Sequence, residues 1–215
     1  MGANAVLFDR GGGLIYDDVL NVTWLQDANY AQTSGYDADG LMGWADANTW
    51  AARLSFGGYD DWRLPNITWP LGSYNLTCTS YDGSTDCGYN ITNKNNELAH
   101  LYYIGLGNQA DYDTSGNAQT HGPTITGPFI NLLGARYWTG TPLPTAWGPN
   151  QSFTFSFESG LKEWDMKQDP YYATYAWAVR GSDIATVPEP ETYAMMLAGL
   201  WLVGAAAQRR KQAEI

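Results

Sequence analysis

An α+β fold, with two helices, a curled and mostly antiparallel sheet and a carboxy-terminal hydrophobic helix, is what this sequence predicts, on three observations. Ten Trp, fifteen Tyr and 24 Gly stand in a chain of 215 residues of which only 15% are charged, a balance that favours short strands and turns over long salt-bridged helices. Two segments repeat apolar residues at spacings of three and four, the period of a helix face. A third, "QSFTFSFESG", alternates Phe153, Phe155 and Phe157 with Thr154 and Ser156, the period of a half-buried strand.

In chain order, residues 6–9 and 14–16 read as strands joined by the Gly11-Gly12-Gly13 turn, and a third strand lies around 22–25. The first helix places Trp44, Ala47, Ala51 and Leu54 on one face and stops at Gly57 and Gly58. In "GGYDDWRLP", Trp62 and Leu64 alternate with Arg63 along a short strand that Pro65 ends. Burial of Trp62 and pairing of Arg63 with Asp60 or Asp61 are expected there. Asn95 and Asn96 cap a second helix that presents Leu98, Leu101 and Tyr102 and ends near Gly105 to Gly107. After the Phe-rich strand and a turn at Ser159-Gly160, "YATYAWAVRG" places Tyr175, Trp177 and Val179 on one side of a final strand, expected to pair with the first. Residues 66–93 and 108–127 show no period, and long irregular loops in a compact domain are more often functional than accidental.

Up to Ala185 there are eight Lys or Arg against nineteen Asp or Glu, so the net charge of −11 belongs to the domain and the tail is neutral. Such a surface makes nucleic acid a poor partner and leaves cations, neutral glycans and basic partners open. Cys78 and Cys87 bracket the turn-rich "CTSYDGSTDC"; a disulfide is expected if the chain is exported, with a pair of free thiols as the alternative. The start, "MGANAVLFDRGGG", shows no basic region followed by a long apolar run, so export is read from the tail and the start is taken as clipped.

The tail begins at residue 187. From Tyr193 to Ala207 no residue is charged. As a helix this stretch would span roughly 22 Å, less than a bilayer core of about 30 Å. Arg209, Arg210 and Lys211 follow and suit a cytoplasmic end, while Pro188 and Pro190 separate the segment from the domain; an ordinary buried helix is the alternative. The order Val187-Pro188-Glu189-Pro190, apolar helix, Arg209-Arg210-Lys211 resembles the PEP-CTERM sorting signal. That resemblance implies cutting near Pro-Glu-Pro by the membrane transpeptidase exosortase, a transient membrane anchor in the tail before processing, and a domain released or attached outside the cell.

"LIYDDVLNVTWLQDANYA", "GGYDDWRLP", "YWTGT" (137–141) and "YAWAVRG" (175–181) resemble, in order, the Lcl C-terminal domain family of bacterial surface proteins. The resemblance covers nearly all of residues 5–182 and implies a C-type-lectin-like architecture for a domain taken as 1–186. The family's name-giving member binds sulfated polysaccharide, a ligand class at odds with the acidic balance here.

No strong catalytic signature is present. His100 reads as a packing residue and His121 lies in a Gly-Pro loop, so a His-based zinc site is not expected. Glu158 and Glu163 are candidate acids for glycoside hydrolysis, with solvated turn carboxylates as the alternative. In "DYDTSGN", Asp111, Asp113 and Ser115 alternate before Gly116 like the first half of an EF-hand loop, although Gly122 occupies the position of its bidentate Glu. Calcium is the one candidate cofactor, there or at the "DADG" of 37–40; an Asx-turn is the alternative reading. Sequons at Asn21, Asn66, Asn75, Asn90 and Asn150 reflect abundant Asn and Thr.

The leading expectation is an exported surface or matrix module that binds extracellular polysaccharide or another matrix component without catalytic turnover. Trp69, Tyr74, Tyr81 and Trp147, in irregular segments, are candidate sugar contacts through their apolar ring faces, with loop packing as the alternative for each. The rivals are a glycan-acting enzyme and a purely structural, self-associating matrix protein.

Overall fold

The computed structural model describes residues 6–67, 78, 80–85, 87–120, 124–146, 148–168 and 174–183. Within them lie two antiparallel sheets and few helices, an α+β architecture. The first sheet comprises β1 (Leu7–Asp9), β2 (Leu14–Asp17), β3 (Val22–Leu25) and, from the far end of the chain, β7 (Val179–Gly181). The second comprises β4 (Arg136–Pro142), β5 (Gln151–Ser156) and β6 (Lys162–Met166), with β5 central. Two separate sheets thus replace the single curled sheet expected.

The β1–β2 turn explains its three glycines: Gly11, Gly12 and Gly13 have φ of 75°, 62° and 83°, a left-handed run that residues with a Cβ resist. The Asp17 carboxylate closes the β2–β3 turn, Oδ1 accepting from the amides of Val19 (3.0 Å) and Leu20 (2.9 Å). The last strand does not pair with the first. It pairs with β3, in the register Val22↔Gly181, Thr23↔Arg180 and Trp24↔Val179. The reason lies in burial: all four residues of β3 are buried and need neighbours on both sides, whereas β1 has two exposed residues and suits an edge.

The final strand is also shorter than the alternation predicts, because residues 175–178 cross between the sheets. Tyr175 exchanges backbone bonds with the second sheet (its N–H to Arg136 O and its O from Trp138 N–H, both 2.9 Å), and Ala178 O accepts from Leu25 N–H of the first. Ala176, Trp177 and Ala178 are consequently buried on every side. Strand β5 departs from expectation likewise. Ser152 and Thr154 are as inaccessible as Phe153 and Phe155, so the strand is buried on both faces rather than half-buried. Small hydroxyls permit this by bonding to backbone, as Ser152 Oγ does to Thr141 O at 2.9 Å.

Three helical segments precede β4: α1 (Tyr30–Thr33), α2 (Trp44–Arg53) and α3 (Glu97–His100), the last continuing as a π-helical turn through 105. Helix α2 follows the predicted spacing, with Ala47 and Ala51 buried and Trp50 added to the buried face. It ends at Arg53. Gly57 and Gly58 do not stop it; they are the left-handed pair (φ 63° and 84°) of a tight turn closed by reciprocal bonds between Phe56 and Tyr59. Asn96 caps α3 by accepting from Ala99 N–H, as its sequence predicts.

Trp24, Trp138 and Trp177 form the centre of the core. Trp177 lies 4.9 Å from Trp24 and 4.8 Å from Phe129 between ring centroids, and donates its indole N–H to Leu25 O at 2.8 Å. Fully burying such a side chain stabilises the fold by roughly 3 kcal/mol. Trp62 and Leu64 are buried as expected, but Arg63 has a different partner. It forms two 2.8 Å bonds with the Glu97 carboxylate, while Asp61 takes Arg180 at 2.6 Å. The bridge between Ile67 and Asn96 delivers the start of α3 to Arg63, and Asp61 lies against β7 instead.

Candidate functional site

Among the described residues the irregular segments converge on one exposed aromatic surface. Tyr81 comes from the disulfide loop, Tyr89 from the chain just beyond it, and Tyr112 from the hairpin of 111–119. Tyr81 and Tyr89 are stacked nearly parallel, 5.8 Å apart and inclined by 8°, and Tyr112 lies 5.0 Å and 5.1 Å from them. Tyr81 is exposed; Tyr89 and Tyr112 are half-buried.

Three local devices build this surface. A disulfide joins Cys78 and Cys87, as expected from their spacing and export. Closing a loop of this size removes denatured-chain entropy worth about 3 kcal/mol. Beside it, Gly88 exchanges two backbone bonds with Lys162 at the start of β6, which fastens the loop to the second sheet. Gly88 has φ 111°, and a Cβ there would fall 2.3 Å from Ser80 O, so the position demands glycine. The Asn90 side chain is the third device. Its amide donates to Tyr81 O at 2.7 Å and to Tyr112 O at 2.9 Å, tying two of the tyrosine-bearing segments together.

The hairpin that carries Tyr112 is the segment singled out for calcium. Asp111 and Asp113 lie on it, with Ser115 at its tip. Asp113 Oδ1 accepts from the amides of Ser115 (2.8 Å) and Asn117 (2.9 Å), and Oδ2 accepts from Asn117 Nδ2 (3.0 Å). This is an Asx-turn satisfied by the loop's own donors, and those bonds hold the Asp113 carboxyl below its usual range. Asp37 of "DADG" makes the same kind of turn to Asp39 and Gly40. Among the described residues no group of three or more His, Cys, Asp or Glu gathers as a metal set.

The hairpin packs on the tyrosines: a Cβ at Gly116 would meet the Tyr81 ring at 3.0 Å. Tyr81 and the Asp111–Ser115 set, selected separately from the sequence, are therefore neighbours. Tyr89 and Tyr112 were missed by sequence reasoning. Their signal was proximity to features already chosen, since Tyr89 follows Cys87 and Tyr112 lies inside "DYDTSGN". Trp69, Tyr74, Trp147, His121 and the tail residues Val187, Pro188, Glu189, Pro190, Arg209, Arg210 and Lys211 lie outside the described residues.

Burial raises the Tyr89 hydroxyl above its usual range, and the charges of Asp111 and Glu163 raise it further. Glu163 pairs with Arg136, which also reaches Asp165 at 3.3 Å. Burial pushes the Glu163 carboxyl up, Arg136 pulls it down and Asp165 adds to the upward push. Asp82, beside Tyr81, accepts from Ser80 and Ser84 and is held down at about 2. Elsewhere, His100 is a buried packing residue whose Nδ1 meets Thr92 O at 2.9 Å, and Glu158 is exposed.

Residues 186–211 match the PEP-CTERM protein-sorting motif, a segment that includes the Pro188-Glu189-Pro190 and Arg209-Arg210-Lys211 groups. The motif indicates an exosortase-processed, exported protein sorted to the cell surface. No curated protein and no solved structure matches the chain. No helix among the described residues is long and apolar enough to cross a membrane.

Proposed function

We propose that the domain, taken as residues 1–186 ahead of a sorting tail of 187–215, is a non-catalytic glycan-binding module of the extracellular matrix. Polysaccharide docks on the face made by Tyr81, Tyr89 and Tyr112. The observation that supports this most is the convergence of three tyrosine rings, from segments without regular structure, of which Tyr81 is exposed and Tyr89 and Tyr112 are half-buried. Sugars present C–H faces that suit such rings, while the phenol hydroxyls stay hydrated and orient sugar hydroxyls. The likeness of its motifs to Lcl C-terminal domains favours a C-type-lectin-like architecture, and export through exosortase would deliver the module to where polysaccharide lies.

The test is binding of the full chain to extracellular polysaccharide and to a glycan array, compared with Tyr112→Ala and Tyr81→Ala. Losing a central aromatic contact is expected to weaken binding about tenfold or more while the fold is kept. Unchanged binding by both variants would remove the tyrosine face from the reading. Repeating the assay with calcium and then with chelator tests Asp111, Asp113 and Ser115 as a calcium set. Turnover of the bound glycan, lost in Glu163→Gln, would favour the enzymatic alternative.

A further inference from the structure

We propose that Tyr81 and Tyr112 form an oxidative crosslinking site, joined ring to ring by a carbon–carbon bond when the exported chain meets hydrogen peroxide and a haem peroxidase. The modification is independent of glycan binding. Its first requirement is access, and Tyr81 is 36% exposed, so its phenol can reach a bulky oxidant. Two other tyrosine pairs come as close, Tyr102 with Tyr103 at 4.9 Å and Tyr137 with Tyr175 at 5.7 Å, but Tyr102 and Tyr137 are buried. The second requirement is a partner held in place. Tyr112 lies 5.0 Å from Tyr81 between ring centroids and is inclined to it by 51°, whereas Tyr89 lies 5.8 Å away and stacks face to face at 8°. Coupling occurs at a ring carbon next to the one that bears the hydroxyl. One such carbon of Tyr81, Cε2, faces the hairpin that carries Tyr112, since a Cβ at Gly116 would meet it at 3.3 Å. Asn90 Nδ2 donates to Tyr81 O at 2.7 Å and to Tyr112 O at 2.9 Å, so one anchor holds both backbones and the rings meet within one chain.

Each phenol gives up one electron and one proton to the oxidant, which leaves a pair of phenoxyl radicals. Their unpaired electrons form the bond between the Cε carbons, and the hydrogen on each of those carbons moves to its oxygen, restoring both phenols. The electrons and protons released break the O–O bond of one hydrogen peroxide, which leaves as water. Export places the chain beyond the cytoplasmic reductants that would quench such radicals. The new bond ties the loop closed by Cys78 and Cys87 to the hairpin of 111–119, the segments that Asn90 already straps, and thiols cannot reverse it. The tyrosine face would then stay assembled where its disulfide is reduced.

The experiment treats the dilute full chain with hydrogen peroxide and a haem peroxidase. Dityrosine fluorescence is read in the monomer band of a reducing denaturing gel, and mass spectrometry identifies the joined peptides. The expected product links Tyr81 to Tyr112 and is lighter than its parts by a pair of hydrogens. Tyr81→Phe and Tyr112→Phe keep the rings and remove the oxidised hydroxyl. Each is expected to lower monomer dityrosine about tenfold or more, whereas Tyr89→Phe should leave it within about twofold of the parent. Once the disulfide is reduced, the crosslinked chain should keep slow hydrogen exchange at Tyr89 that the untreated chain loses. No monomer dityrosine, dityrosine only between chains, or a bond from Tyr81 to Tyr89 would overturn the assignment, and fast exchange in both reduced chains would overturn the strapping role. None of these outcomes bears on glycan binding.

Discussion

Trp24, Trp138 and Trp177 are sealed where the two sheets meet, whereas Tyr81, Tyr89 and Tyr112 lie together at the surface. Both groups bring aromatic side chains together, Trp24 and Trp177 at 4.9 Å and the tyrosines at 5.0–5.8 Å, yet they are held by different forces. The tryptophans are fixed by burial: strands and helix close over them, and each contributes by leaving water. The tyrosines are fixed from behind by polar clasps, namely a disulfide, Asx-turns, the Asn90 amide and a glycine that admits a carbonyl. The lesson is that this chain's aromatic content divides into a core that stabilises and a face that is itself stabilised.

The core is the more sensitive of the two regions. Trp177→Ala removes a fully buried indole and orphans Leu25 O, so about 3–5 kcal/mol of stability is expected to be lost. Urea unfolding checks this, and a loss under 1 kcal/mol would mean that the tryptophan cluster is not the centre of stability. Next in size, Cys78→Ser with Cys87→Ser is expected to cost about 2–3 kcal/mol. Hydrogen exchange should show the faster opening concentrated at Gly88 and Tyr89, with Trp24 and Val179 little changed; equal acceleration everywhere would erase the distinction between the regions.

A smaller change sharpens the distinction. Asn90→Ala deletes two bonds from the clasp and is expected to cost about 1–2 kcal/mol. The near-ultraviolet circular dichroism of the tyrosines should weaken more than that of the tryptophans.

The smallest effect lies in the β2–β3 turn, where burial raises the Asp17 carboxyl above its ordinary 3.8, against the downward pull of the Leu20 and Val19 amides and of His100. A carboxyl raised on folding costs stability once ionised. That cost is absent below 3.8, grows as pH climbs through the interval up to the raised value, and persists at neutrality. Asp17→Asn keeps the Oδ1 acceptor and removes the charge, so it should unfold at higher urea than the parent at pH 7, with the difference closing in acid. A variant weaker than the parent at pH 7 would show that the ionised Oδ2 has a favourable partner.

What the sequence disclosed follows the same division. The β1–β2–β3 meander was legible because Gly11 to Gly13 and the flanking apolar runs are local signals, and Asn96 announced its helix for the same reason. Helix α1 was missed because four residues are too few to show a period. The pairing of β7 with β3, and of Arg63 with Glu97, depends on contacts between distant parts of the chain that no local pattern encodes. The tyrosine face was half legible. Tyr81 and the 111–115 segment were each chosen as lone features of irregular loops, and only the fold, through Asn90 and Gly116, makes them neighbours of Tyr89 and Tyr112.

Asn90 also begins the sequon Asn90-Ile91-Thr92, and this bears on how the protein should be produced. Both hydrogens of its amide nitrogen are engaged, one to Tyr81 O and one to Tyr112 O. A eukaryotic secretory host attaches its oligosaccharide to that same nitrogen, replacing one hydrogen with a bulky sugar. Material from such a host would have one strap undone and a foreign chain beside the tyrosines, so a bacterial periplasm is the expression compartment that respects both the disulfide and the amide.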